Sequence, residues 1–196
     1  MDVITALGGL SAAFGLSTSA GLNAYIPLLA VALAARFPAG DPWLKLAEPY
    51  NLMGETWVII VLIILLAIEA LVDKIPAVDT INDIIQTFIR PTAGALLFAA
   101  NANVVTDISP ILAVLAGVIL AGGVHTVKGV ARPAVTATTA GTGNWFVSIL
   151  EDIAAVMVSI FSLLLPILTA IVLIVVAVAF LALWRRRRTR KKLVFK

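Results

Sequence analysis

The chain alternates between long uncharged runs and short stretches where polar residues gather. The longest run, residues 153–184, has thirty-two residues without a charge, ends in Trp184 and is followed at once by RRRRTRKKLVFK. An apolar run closed by tryptophan and arginines is the pattern of a membrane-spanning helix with aromatic and basic anchors. As one helix it would be about 48 Å long at about 1.5 Å per residue, against a hydrocarbon core of roughly 30 Å. It must therefore tilt, protrude, kink at Pro166, or fold back there as two spans. No Gly, Asn or Asp lies around Pro166 to make a tight hairpin, so one long helix kinked at Pro166 is expected, with the hairpin as the alternative.

Residues 3–35 form a second uncharged run, interrupted by GLSTSAGLN at 15–23. Small residues either let helices pack closely or let a helix unwind and present its backbone to a site, and both readings stand. Without a basic n-region or cleavage pattern, the run is not read as a removable signal peptide. Residues 36–56, with Pro38, Gly40, Pro42 and Pro49, read as a surface loop bearing Trp43 and followed by Trp57 at the interface.

Only thirteen uncharged residues separate Glu55 from Glu69, whereas a crossing takes about twenty. Glu69 and Asp73 then belong to the last turns of the spanning helix 57–74, four apart and on one face. Residues 77–90 alternate at helical spacing, with Val78, Ile81, Ile84, Ile85 and Phe88 opposite Asp79, Asn82, Asp83, Gln86 and Arg90. Pro76 precedes this amphipathic helix and Pro91 is expected to end it. Its polar face either rests wet on the membrane surface or lines a cavity with Glu69 and Asp73. Residues 92–106 are a short apolar stretch, either a short crossing or a re-entrant segment.

A further span over 108–131 carries His125, Lys128 and Arg132 on one face of its far end. Pro133 is expected to stop it, and 134–146 forms a second Thr/Gly-rich, membrane-embedded break that includes Asn144. Glu151 and Asp152 lie near the start of the final span, 146–184, where negative charge suits a helix N-terminus. Arg90-Pro91 and Arg132-Pro133 follow charged helix ends, and STSAGLN echoes TTAGTGN. Broken helices at matching positions of a weak internal repeat are a pointer to a transporter-like site.

Composition agrees with a membrane bundle: 61% hydrophobic residues, 13% charged and a mean hydropathy of +1.08 lie far from soluble domains. The net charge of +3 conceals an asymmetry, since the 185–196 tail holds eight of fourteen Lys and Arg. That tail reads as a cytoplasmic topology signal touching anionic lipid, and no nucleic-acid partner is expected. Absence of cysteine excludes disulfides and thiolate sites, and a single histidine makes a zinc or iron centre improbable. No metal and no cofactor are expected.

The residues Gly21–Pro27 (GLNAYIP), Glu69, Asp73 to Pro76, Asp79, Asp83, Arg90-Pro91, Gly94, His125, Lys128, Arg132, Gly143-Asn144, Ser148 and Glu151-Asp152 give the chain a resemblance. It resembles a family of bacterial integral membrane proteins catalogued as domain of unknown function 4126. The resemblance implies a polytopic membrane protein and brings no activity, substrate or catalytic residue with it; a bacterial inner membrane is the expected location.

The expected fold is an all-α, polytopic transmembrane helical bundle with broken or re-entrant helices, a single membrane domain over 1–184 and a basic cytoplasmic tail. Ionisable groups at membrane depth are costly and face a bundle interior or water, usually in pairs. Glu69, Asp73, Asp79, Asp83, Glu151 and Asp152 could meet Arg90, His125, Lys128 and Arg132 there, with Asn144 nearby. Such a cluster either locks helix register or encloses a site for a small ion or solute with a proton-responsive group. Transport is the leading expectation. A non-catalytic accessory or scaffold subunit, a homo-oligomer or complex partner through its small-residue seams, is the alternative. An enzyme acting on lipid phosphates through Mg²⁺ lacks any recognisable motif, and no enzymatic activity is expected.

Overall fold

The computed structural model describes residues 3–72, 76–102, 109–139 and 142–194. Among these residues the chain is a bundle of seven α-helices with one 3-10 turn, Tyr50–Gly54, and no strand. The helices are α1 (Val3–Leu22), α2 (Tyr25–Arg36), α3 (Thr56–Val72), α4 (Pro76–Ala102), α5 (Pro110–Thr139), α6 (Thr142–Leu164) and α7 (Pro166–Val194). Four stretches are long and apolar enough to cross a membrane: Val3–Leu22, Pro110–Thr139, Gly143–Leu164 and Pro166–Leu183. Outward faces are apolar, with Ile63, Ile64, Ile119, Val130, Phe146, Leu168 and Val175 all exposed. Water would penalise such a surface, while lipid tails solvate it.

α1 is the centre of the bundle, and its small residues explain why. Ser17 Oγ donates to the carbonyl of Gly94 at 2.9 Å, and Ser19 Oγ lies 2.9 Å from both the Ala155 carbonyl and Ser159 Oγ. Pairings of residue 17 with 94 and of 21 with 90 run α1 antiparallel to α4. Those of 19 with 155 and of 23 with 152 do the same for α6. α4 and α5 are likewise antiparallel and cross at Gly94 and Gly117, where a Cβ on either glycine would collide with the other's backbone. Close approach of this kind is how helices associate where burial from water gives little driving force. The GLSTSAGLN stretch thus combines both expected roles: residues 15–22 stay helical as a packing seam, and the chain breaks at Asn23 and Ala24.

Two expectations about proline are revised. Pro91 does not end the amphipathic helix and Pro133 does not end α5; each lies inside a continuous helix. Residues 92–102 therefore prolong α4 instead of forming a separate embedded stretch, and 134–139 prolong α5. An interior proline loses one backbone hydrogen bond and costs about 3 kcal/mol. Beyond Pro91 the helix regains that by burying Ala93, Leu97, Phe98 and Ala100. Thr92 also donates its hydroxyl to the Phe88 carbonyl at 2.8 Å, in the turn disturbed by Pro91.

At Pro166 the 146–184 segment is two helices, α6 and α7, separated by the single bent residue Leu165. Helical hydrogen bonding runs on at both sides, from Leu165 N–H to the Phe161 carbonyl at 2.7 Å and from Thr169 N–H to the Leu165 carbonyl at 3.0 Å. The bend is sharp enough that Ser162 before it and Thr169 after it both meet Gly15 of α1. Each half alone is long enough to cross a bilayer.

Candidate functional site

The antiparallel order of the helices brings one end of each of six helices to the same level: the C-termini of α1 and α3, the start of α2, the first half of α4, the second half of α5 and the first turns of α6. The charged residues sit on these ends. Helix ends also carry partial charges, because their last carbonyls and first amides have no intrahelical partner.

Arg90 is the hub. Its guanidinium is 1% exposed and donates through Nη2 to Glu69 Oε1 at 3.2 Å and through Nη1 to the Gly21 carbonyl at 3.4 Å. Nη1 also lies 3.3 Å from His125 Nδ1. A guanidinium only donates, so His125 Nδ1 accepts. That assigns the proton of the neutral ring to Nε2, which faces Thr87 Oγ1 at 3.1 Å.

A second ion-paired group lies beside the first. Lys128 Nζ is 2.6 Å from Glu151 Oε2, Arg132 Nη2 is 3.6 Å from the same oxygen, and Lys128 Nζ also donates to the Leu22 carbonyl at 3.3 Å. Two cations, Arg90 and Lys128, thus meet the last carbonyls of α1, Gly21 and Leu22, as a helix dipole favours. One turn on, the start of α2 is held by Asn23. Its Oδ1 accepts the Tyr25 and Ile26 amides at 2.9 and 3.1 Å, while its Nδ2 donates to Asp152 Oδ1 at 2.9 Å. Asp152 therefore stands near the positive end of α2, and the break between α1 and α2 is electrostatically matched on both sides.

Of the expected set, Glu69, Arg90, His125, Lys128, Arg132, Glu151 and Asp152 come together. Asn144 stays at the rim, paired with Thr136 Oγ1 at 2.9 Å. Asp73 lies outside the described residues, and Asp79 and Asp83 fall on α4 with side chains outside them. Among the described residues no group of three His, Asp or Glu is placed to hold a metal ion.

Three members escaped the sequence reading as site residues. Asn23 was part of the Ser/Gly break, and its role as the link between α2 and Asp152 is visible only in three dimensions. Gln86 lay on the polar face of α4 but was not singled out; it is 1% exposed, and its Oε1 has no hydrogen-bond partner among the described residues. Tyr25 lies beside Glu69, Gln86 and Arg90; an aromatic in an apolar run carries no signal of that.

Compared with known proteins, residues 10–186 match the family model described as "Domain of unknown function (DUF4126)". No curated protein and no solved structure matches the chain.

Proposed function

We propose that this chain, which belongs to the family of domain of unknown function 4126, is an integral membrane protein that moves a small ion or solute through the charged site between its helix ends. The observation that carries the reading is the break at Asn23 and Ala24: a helix C-terminus and a helix N-terminus meet at one point, within reach of three cations and three carboxylates. Broken helices whose ends face a charged site are how transporters bind solutes at membrane depth.

The same reading places the charged ends of the bundle on the cytoplasmic side of a bacterial inner membrane. Arg90, Lys128 and Arg132 lie at that end, and the reading sets the basic tail there as well, in contact with anionic lipid. No enzymatic step, cofactor or nucleic acid enters the mechanism.

Flux in proteoliposomes across a panel of ions and pH gradients tests the reading. Glu69→Gln and His125→Ala are expected to lose flux by at least tenfold while retaining helix content by circular dichroism. Absence of flux in the parent for every panel member would overturn it. One observation favours a second reading, an accessory subunit of a membrane complex: α7 buries only Thr169 and Ala170 among its described side chains, so most of a long apolar helix faces out of the bundle. Reproducible capture of one stoichiometric partner in detergent would support that role, and purification as a stable lone protein would argue against it.

A further inference from the structure

Away from the charged site, α2, α3 and α6 enclose a groove of about 600 Å³ lined by residues such as Leu29, Leu33, Leu66, Ile160 and Leu163, with Trp43 and Phe37 at one end. Its single hydroxyl, Ser159, is turned to Ser19 at 2.9 Å. Nothing polar is left in the groove to recognise a sugar, a peptide bond or a hydrated ion. A methylene fills about the 30 Å³ of a water molecule, so the groove has room for about twenty of them, the size of one alkyl chain.

The end of the groove says what that chain is attached to. The last turn of α2 and the turn after it alternate between two cavities: Ala34, Phe37 and Trp43 face the groove, while Ala35, Arg36, Ala39, Gly40 and Pro42 line a second pocket of about 340 Å³. Asn51, Gly54 and Glu55 close that pocket. The wall is fixed by backbone bonds from Trp43 N–H to the Phe37 carbonyl at 3.1 Å and from Leu44 N–H to the Ala34 carbonyl at 3.0 Å. Gly40 has φ of 95°, which favours glycine at this turn. Arg36 and Glu55 give the pocket one positive and one negative group. A phosphate suits the guanidinium, and a primary ammonium suits the carboxylate.

We infer that this chain carries a specific phospholipid site, with one alkyl chain in the α2–α6 groove and a zwitterionic aminophospholipid headgroup at Arg36 and Glu55. Trp43 stands between the two parts, where an amphipathic indole sits well at a membrane interface.

The test uses a variant of the full chain whose only tryptophan is Trp43 (Trp57→Phe, Trp145→Phe, Trp184→Phe). It is reconstituted in vesicles containing phosphatidylethanolamine, phosphatidylcholine or phosphatidylglycerol with the same brominated chains. Quenching of Trp43 is expected at a mole fraction of phosphatidylethanolamine at least threefold below that of the other two. Arg36→Gln should abolish that preference, and Ala30→Phe, which fills the groove, should reduce quenching by all three lipids. Equal quenching by the three headgroups in the parent would overturn the inference. Native mass spectrometry of the unaltered protein gives a readout that depends on no variant: one retained aminophospholipid per chain supports the site, and its absence, or random retention of all lipids present, counts against it.

Discussion

Glu69 and Arg90 are each nearly excluded from solvent, at 3% and 1% exposure, and each is the other's charge partner at 3.2 Å. Replacing a buried pair with apolar residues is often neutral, whereas removing one partner leaves an uncompensated charge at a cost of about 3–5 kcal/mol. Glu69→Ala is therefore expected to lower the thermal midpoint in detergent substantially, and Glu69→Leu combined with Arg90→Met to recover most of the loss. If the double variant is as unstable as the single ones, the pair is not the dominant interaction of Arg90, and the bonds to Gly21 and His125 are. Asn23→Ala removes the acceptor of two α2 amides and the donor to Asp152. A lost cap costs about 0.5–2 kcal/mol, and a comparable drop in stability to chemical unfolding is expected.

At the scale of elements, the seam between α4 and α5 depends on two glycines that face each other. A Cβ added at Gly117 meets the Gly94 carbonyl, while one added at Gly123, on the same helix, meets nothing within 4 Å. Gly117→Ala is expected to destabilise by about 1–3 kcal/mol through overpacking, and Gly123→Ala to leave stability unchanged or raise it slightly. Equal effects of the two, measured as shifts in thermal midpoint, would show that the crossing tolerates a wider separation. The same seam explains the continuity of α4: a proline interrupts one hydrogen bond, but the turn that follows is committed to contacts with α1 and α5 that only a helix makes.

For the whole molecule, alternation of helix direction puts the charged site at one end and the Phe37–Trp43 turn at the other, and the proposed topology sets the basic tail at the charged end. The chain has no cysteine, so single cysteines can be introduced without background. Cysteines at Gly40 and at Arg190 are expected to react with an impermeant thiol reagent from opposite sides of the membrane, Gly40 from outside the cell. Labelling of both from the same side would reverse the course of α7 beyond Leu165 and remove the tail from the end that bears Arg90, Lys128 and Arg132.

Much of this was legible in the chain. Uncharged runs flanked by tryptophan and arginine define apolar helices through the mismatch between polar groups and hydrocarbon, a property each residue carries wherever it is placed. Glu69, Arg90, His125, Lys128, Arg132, Glu151 and Asp152 stood out for the same reason, since charge within an apolar run needs a partner. What the sequence could not decide is where chain breaks fall and who pairs with whom. Pro91 and Pro133 looked like stops because local backbone chemistry disfavours a helix there; burial of the turns after Pro91 against α1 and α5 makes continuation of α4 favourable, whereas α5 continues past Pro133 through turns that stay mostly exposed. Asn23 looked like one small polar residue among several, and became the joint of the site because the ends of α1, α2 and α6 converge on it. Pairing is set by the register of antiparallel helices packed through small side chains. That register is a property of the assembled bundle, and no single segment contains it.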